Sequence, residues 1–594
     1  MTAGSAFLRH WHTPAQVGKP EGALWAVAVV LLTLASLVPI WAVEYLPLQD
    51  YPYHLLRIQI IAEYANPVFD YGRYFDISLF PLPYVLLDYL ILLLAPVFGL
   101  PFAGKLVLST YVLGFVSSIF YFVRAFGPQY TLLGFFGFLF IYNWYFNMGF
   151  VNFALAIPFF FFAVGFYWRY RDALTLSRSL LLCGMVLLTY LTHLYVFLYL
   201  GVALGVIALL SQSKLRALMV LAGVSLPALL LLAATIVMHM PNYLGDGGSS
   251  VVFIDYPSLL WTLDAAIGSK LRYFASISPA RERQILVAAA AVWFALAAWN
   301  PSGLARNRFV VVVGSFCILY LALPEFVSPR YNFFSCRVLI FIALLALALP
   351  VVPRVPAWRL LVLAALAVLA LASLAVTTRA YLRADEKLRD YAAVLEQIPP
   401  GEGVCFVQDN QVARVGSIKP FALFHAYYYL EHSGGGPVYD ASSQTHSDSR
   451  YRAVRVGSVP MMPGFVGTLR TVHDSRIVDQ PGAHHIERFF SRRAIDKGGV
   501  VLLLSGGQRN DVQTAAARNG FEPMLELGDA AIYQRRQVPA AVAPQMDLSF
   551  CDDSAYLILL QERTQTKPDF TRRFEHMFSR GNFHLLARER ASAK

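Results

Sequence analysis

The chain has 594 residues, of which 57% are hydrophobic and only 14% charged, and its mean hydropathy is +0.53. Those proportions exclude a chain that is soluble throughout and describe a polytopic membrane protein followed by a more polar part. The formal charge of +11 does not point to nucleic acid, because many basic residues of the first half fall in short loops between apolar runs, where they act as a topological signal.

The first apolar run, Ala23 to Ala42, has the roughly twenty residues a helix needs to cross about 30 Å of hydrocarbon. Arg9 and Lys19 precede it, which places the N-terminus in the cytoplasm and the next loop outside. No small-residue cleavage site follows it, so it is expected to remain as an anchor. Further spans are expected at Ala103 to Val123, Thr131 to Phe146, Val151 to Trp168, Leu180 to Leu191, Tyr195 to Leu210, Leu218 to Met238, Ile285 to Trp299, Phe309 to Leu323, Val338 to Val352 and Leu360 to Val376. With the first run these make about eleven. Pro83 to Leu100, which carries Asp88, is read as an interfacial helix. Counting it as a span would send Arg169, Arg171, Arg178, Lys214 and Arg216 to the outer side, against the charge rule.

The first outer loop holds Gln49-Asp50-Tyr51-Pro52-Tyr53-His54-Leu55-Leu56-Arg57. Asp50 is a suitable N-cap and Pro52 is tolerated in a first turn, so Tyr53 to Tyr64 reads as a helix with His54 and Arg57 on roughly the same face as Asp50. A carboxylate at a helix N-terminus is held ionised by the dipole, which suits a base or a metal ligand. The plainer alternative is that Asp50 merely caps an amphipathic surface helix, with His54 and Arg57 solvated or pairing with lipid head groups.

The same topology gathers the other unusual polar groups on the outer side: Asn143, Asn147 and Asn152, His193 in Leu191-Thr192-His193-Leu194-Tyr195, and Glu325, Arg330 and Arg337 where a loop re-enters the membrane. Ionisable groups at membrane depth are costly and usually line a cavity, so a shared outer cavity is the economical expectation. Arg337 and Arg330 suit a phosphate, which a guanidinium grips through paired bonds. Their plainer readings are a snorkelling arginine and an ion pair between Arg330 and Glu325. His193 suits phosphate or acceptor, or else caps a helix end. Asn147, Asn152 and Glu325 are candidates for sugar or acceptor hydroxyls, although asparagines are also ordinary turn residues. The segment Met240 to Arg283 is long enough to cover such a cavity.

Charge density rises near Thr377, which divides the chain into a membrane domain, 1–378, with its first outer loop at 44–102, and a tail domain, 379–594. The odd number of spans puts the tail outside, in the periplasm of a bacterium. Strands expected at Gly499 to Ser505, Ala530 to Gln534, Tyr556 to Gln561 and Phe583 to Ala587, with helices at Asp511 to Asn519 and Phe570 to Phe578, make it an α/β domain. Cys405 and Cys551 lie in this domain, where a disulfide would be permitted. The histidines of the tail, among them His425, His432, His484 and His485, have no ligand spacing that would make a metal centre.

The order of cytoplasmic N-terminus, first span and acidic first outer loop resembles the GT-C superfamily of membrane glycosyltransferases, in a divergent bacterial branch. The resemblance covers the membrane half, and the tail is similar to the soluble C-terminal domains of many members. It implies an inverting transferase in the inner membrane that takes a sugar from a polyprenyl-phosphate donor to an envelope glycan, lipid or protein. Asp50 would then be the catalytic base or a ligand of a divalent cation, Mg or Mn, with His54 and Arg57 beside it. Members often pair two acids in the first loop; here Asp50 is followed by Tyr51, and the next outer loop, Asn143-Trp144-Tyr145-Phe146-Asn147-Met148-Gly149, has no acid. The rival readings are a transporter or flippase of a lipid-linked substrate and a non-catalytic envelope anchor.

Overall fold

The computed structural model describes residues 19–67, 75–77, 83–245, 254–255, 280–323, 326–327, 331–332, 334–353 and 355–395, and beyond these the strands and the short helix given below with Ile418, Pro420 and Phe424. The helices are α1 (Lys19–Trp41), α2 (Tyr51–Ala62), α3 (Leu86–Phe98), α4 (Leu100–Arg124), α5 (Trp144–Asn147), α6 (Val151–Tyr170), α7 (Leu176–Thr192) and α8 (Leu194–Leu209). They continue as α9 (Lys214–Gly245), α10 (Ala280–Trp299), α11 (Pro301–Arg306), α12 (Val310–Ala322), α13 (Val338–Leu345), α14 (Pro356–Leu395) and α15 (Ala426–Glu431). The chain divides into two compact units, Met1–Ala42 with Pro81–Arg379 and Val43–Phe80 with Ala380–Lys594. Residues 43–80, which follow α1, thus fall in the same unit as the tail.

The first unit is helical and multi-pass. Among the described residues five helices are long and apolar enough to cross a membrane: α1, α4, α6, α9 and α14. α7, α8, α10, α12 and α13 are apolar and shorter. α3, expected to be interfacial, has 13 residues, about 20 Å of rise, the same length as α12. Its Leu93 and Val97 are 74% and 77% exposed, an outward apolar face suited to lipid.

The expected span at Thr131 to Phe146 is not an α-helix. Pro128–Phe140 winds as a 3₁₀ helix, and Trp144–Asn147 forms the separate turn α5. Gly134 and Gly137 bring this segment so close to α4 that a Cβ would lie 2.6 Å from the Phe120 ring and 3.1 Å from Ile119. With about 2.0 Å of rise per residue, its 13 residues extend roughly 26 Å, nearly the depth of the hydrocarbon.

Aromatic packing holds the bundle. Phe126 stacks on Trp168 at 5.1 Å, and Phe309 meets both rings at 4.8 and 5.0 Å. Phe341 on α13 is met by Phe160 and Phe316 at 4.5 and 6.3 Å. Arg359 at the start of α14 pairs with Glu21 of α1 at 2.8 Å, with the arginine side chain 4% exposed. A three-stranded antiparallel sheet of β2 (Ile254–Asp255), β3 (Phe326–Val327) and β4 (Tyr331–Asn332) precedes α13. Part of the long segment expected to cover the cavity is therefore strand-paired; residues 246–253 and 256–279 lie outside the described residues.

In the second unit α2 packs against α15, and Gln59 Nε2 donates to the Leu430 carbonyl at 3.3 Å. Tyr45 meets Phe424 and Tyr427 edge-on at 5.2 and 5.0 Å. Asp385, 2% exposed, accepts from the backbone N–H groups of Glu44 and Tyr45 at 3.0 and 2.7 Å and pairs with Arg389. These bonds tie the segment that follows α1 to the last turns of α14.

The strands are β1 (Phe75–Ile77), antiparallel to β7 (Val454–Val456); β6 (Val407–Gln408), parallel to β8 (Gly467–Thr468); and two larger sheets. One has the order β10 (Phe521–Leu527), β11 (Ala530–Arg535), β9 (Val500–Leu504), β5 (Val404–Cys405), with β5 parallel to β9. The other is β12 (Tyr556–Leu560), β14 (Phe583–Arg588), β13 (Phe574–Arg580). Four expected strands fall on β9, β11, β12 and β14. The helix expected at Phe570 to Phe578 is replaced from Phe574 by β13: the four-residue spacing of Phe574 and Phe578 imitates a helix, but pairing with β14 through a bulge wins. The expected helix at Asp511 to Asn519 and Cys551, with its pairing to Cys405, lie outside the described residues.

Candidate functional site

Asp50 sits one residue before α2, and its side chain does not cap the helix as expected. Two local features explain this. Its backbone is right-handed helical, φ −93° and ψ −4°, rather than the extended form of a capping residue, and Pro52 removes one of the N–H groups a cap would engage. Asp50 is half-buried, whereas His54 and Arg57 are each 3% exposed. The solvated reading of these two residues is overturned: α2 turns them inward with Tyr51, Leu55 and Ile58. Burial pushes the Tyr51 phenol well above its ordinary value, so it stays neutral next to Asp50.

In the membrane unit His193 and Arg337 share one aromatic enclosure. The Arg337 guanidinium lies over Phe150, Tyr195 and Phe153 at 4.7, 5.2 and 5.6 Å from their centroids. The His193 ring meets the same Phe153 and Tyr195 at 5.3 Å each, and Tyr84 at 4.7 Å. His193 interrupts α7 and α8 in an extended conformation, its N–H bonded to the Thr189 carbonyl at 2.9 Å. Tyr84 has φ +73°, a left-handed conformation that costs a bulky residue about 1–2 kcal/mol; the strain is spent where its ring meets His193.

Arg337 has no carboxylate partner among the described residues, and its buried Nε has no hydrogen-bond partner there. Asn152, in the first turn of α6 beside Phe153, is 2% exposed, and neither its Oδ1 nor its Nδ2 finds a partner among the described residues. Each such atom costs about 1–3 kcal/mol when left dry. Asn147 differs, because its Nδ2 donates to the Tyr142 carbonyl at 2.9 Å and so serves the turn before Gly149. Asn143 caps α5, accepting from the Phe146 N–H at 3.1 Å. Glu325 and Arg330 lie outside the described residues.

The membrane unit also holds a cavity of about 320 Å³, walled mainly by apolar groups including Phe140, Trp144, Leu286, Trp293 and Ile340, with Asn143, Ser373 and Thr377 among its polar lining; none of the enclosure residues lines it. Tyr145 and Leu339 also line it, and Leu339 follows Arg337 by two residues. The aromatic frame of Tyr84, Phe150, Phe153 and Tyr195 was missed at the level of sequence, where aromatic residues make up 14% of the chain and no spacing sets these four apart.

Among the described residues no three of His, Cys, Asp and Glu group as metal ligands. Asp50 and His54, at the start of α2, are two possible donors, which would hold a divalent cation only together with substrate phosphate and water.

No protein-family model matches this sequence, and no curated protein sequence matches it. Two solved structures are similar in fold. ArnT from Cupriavidus metallidurans in the apo state has 13% identity and a TM-score of 0.45, the similarity covering 86% of this chain and 98% of that one. ArnT from the same organism bound to undecaprenyl phosphate has 13% identity and a TM-score of 0.39, covering 88% of this chain and 99% of that one.

Proposed function

We propose that this protein is a membrane glycosyltransferase that moves a sugar from a polyprenyl-phosphate donor to an acceptor hydroxyl on the extracytoplasmic side. The observation that carries the reading is Arg337: a cation framed by three rings, with no carboxylate partner among the described residues, at the head of the helix whose Leu339 and Ile340 line an apolar cavity. A lipid phosphate meets both requirements at once, an anion for the guanidinium and a hydrocarbon chain for the cavity.

In this reading Asp50 takes the proton from the acceptor hydroxyl as its oxygen attacks the anomeric carbon. The bond from that carbon to the phosphate oxygen breaks, and the polyprenyl phosphate departs with the electron pair, its charge met by Arg337. Asn152 would spend its two unpartnered atoms on sugar hydroxyls, and His193 would donate to phosphate or acceptor. The N-terminus is assigned to the cytoplasm and the tail unit to the periplasm by loop charge.

The test is transfer from a panel of radiolabelled polyprenyl-phosphate sugars to cell-envelope extract by purified protein in lipid, wild type against Asp50→Asn. Transfer by wild type alone is expected. Equal transfer by both removes Asp50 as the base, and no transfer from any donor returns the transporter and anchor readings.

A further inference from the structure

Arg337 is aimed by its backbone as much as by the rings around it. The residues ahead of it, Phe334 to Cys336, form a turn into α13, closed by bonds from the Val338 N–H to the Ser335 carbonyl and from the Leu339 N–H to the Cys336 carbonyl, both 3.0 Å. Two phenol hydroxyls tie this turn from outside. Tyr199 on α8 donates to the Phe334 carbonyl at 2.7 Å, and Tyr145 on α5 donates to the Cys336 carbonyl. The ties fall three residues and one residue before Arg337 and come from two different elements, so the turn cannot rotate without breaking one of them. Ser335 and Cys336 are fully buried, so water is not at hand to replace the bond to the Cys336 carbonyl; the bond to the Phe334 carbonyl is half-buried.

We propose that Tyr145 and Tyr199 are positioning residues that set the direction of the Arg337 guanidinium. The inference rests on the reading of Arg337 as a phosphate-binding group. Ring packing does not need the hydroxyls: Tyr145 meets Phe153 at 5.0 Å and Tyr199 meets Phe341 at 5.6 Å, contacts that phenylalanine keeps. Loss of one tie lets the turn rotate and the guanidinium leave its place among Phe150, Phe153 and Tyr195. The hydroxyls thus act on the ligand through Arg337 and not by touching it.

The experiment compares wild type, Tyr145→Phe, Tyr199→Phe and, as a control, Tyr190→Phe, whose hydroxyl bonds to Thr235 at 2.9 Å. Two quantities are read: the rate at which phenylglyoxal modifies Arg337, followed by peptide mass spectrometry, and the affinity for undecaprenyl phosphate in nanodiscs. Each positioning variant is expected to change the modification rate severalfold and to weaken binding about 3- to 10-fold, the worth of one hydrogen bond; the control changes neither. In an Arg337→Ala background the effect of Tyr145→Phe on binding should vanish, which a general loss of stability would not produce. Unchanged modification in both variants overturns the inference, as does an equal change in the control. Wild type that fails to bind undecaprenyl phosphate sinks the phosphate reading instead, and the modification rates still decide whether the hydroxyls hold Arg337.

Discussion

Arg359 and Arg337 both stand at the head of a membrane-unit helix, and they are treated in opposite ways. Arg359 is buried against Glu21 at 2.8 Å, so its charge is answered inside the fold. Among the described residues Arg337 is answered by ring faces and by no carboxylate; each face is worth about 0.5–2 kcal/mol and holds a guanidinium in place without neutralising it. A neutralised cation belongs to stability, and a held but uncompensated one is free to meet an incoming anion. The two arginines therefore separate what folds the helices from what they present.

The largest effect expected from this contrast is on binding. Arg337→Met keeps apolar contact with Phe150 and Phe153 while removing every donor, and should weaken undecaprenyl phosphate binding by about 100-fold or more, the worth of two charge-assisted bonds at about 1.5 kcal/mol or more each. Its thermal midpoint should stay within a few degrees of wild type. A titration in nanodiscs with a parallel melting curve reads both, and a large loss of stability with intact binding would reverse the roles given to the two arginines.

Glu21→Gln makes the complementary test. It leaves Arg359 buried with a neutral acceptor, and because Glu21 is 18% exposed the expected loss of stability is about 1–3 kcal/mol, below that of a fully buried pair. Lipid-phosphate binding should not change. Chemical denaturation in mixed micelles measures the first quantity, and an equal loss of binding would show that the two charges are coupled.

Asn152→Leu should move the two quantities in opposite directions. Removing two atoms that find no partner among the described residues, at a 2% exposed position, should raise the stability of the ligand-free protein by about 1–2 kcal/mol, while transfer falls about tenfold through loss of a bond to sugar. Stabilisation with full activity would make Asn152 a purely structural residue.

How much of this was legible in the chain varies with the physics involved. The first span and the helices α4, α6, α9 and α14 follow from run length and hydropathy, which a bilayer enforces directly. The 3₁₀ segment did not show, because its shape is set by the approach of Gly134 and Gly137 to α4, a tertiary contact. Arg337, His193 and Asn152 could be singled out as polar groups in apolar surroundings, yet the rings that join Arg337 to His193 could not. Asp50 read as a cap because its type is right for one; the right-handed backbone and Pro52 decide otherwise. The ties from Tyr145 and Tyr199 are bonds to main-chain carbonyls, which leave no trace in residue type at the accepting end.

The smallest effect tests whether the arginine contrast depends on how tightly the bundle is closed. A Cβ on Gly165 of α6 would lie 2.9 Å from the Phe122 Cα of α4 and 3.2 Å from the Tyr121 ring. Because the nearest atom is backbone, the helices must part by a few tenths of an ångström. Gly165→Ala gains up to about 1 kcal/mol of helix propensity and loses about 1–3 kcal/mol to overpacking, so a net loss near 1 kcal/mol is expected in a melting curve. Phe150 and Phe153 ride on or next to the N-terminal turn of α6, about three to four turns from Gly165, so a helix displaced as a rigid body would carry their rings away from Arg337. A phenylglyoxal rate at Arg337 equal to that of wild type would mean that the enclosure is held locally by its own ties, and a faster rate that it is held by the packing of α6 on α4.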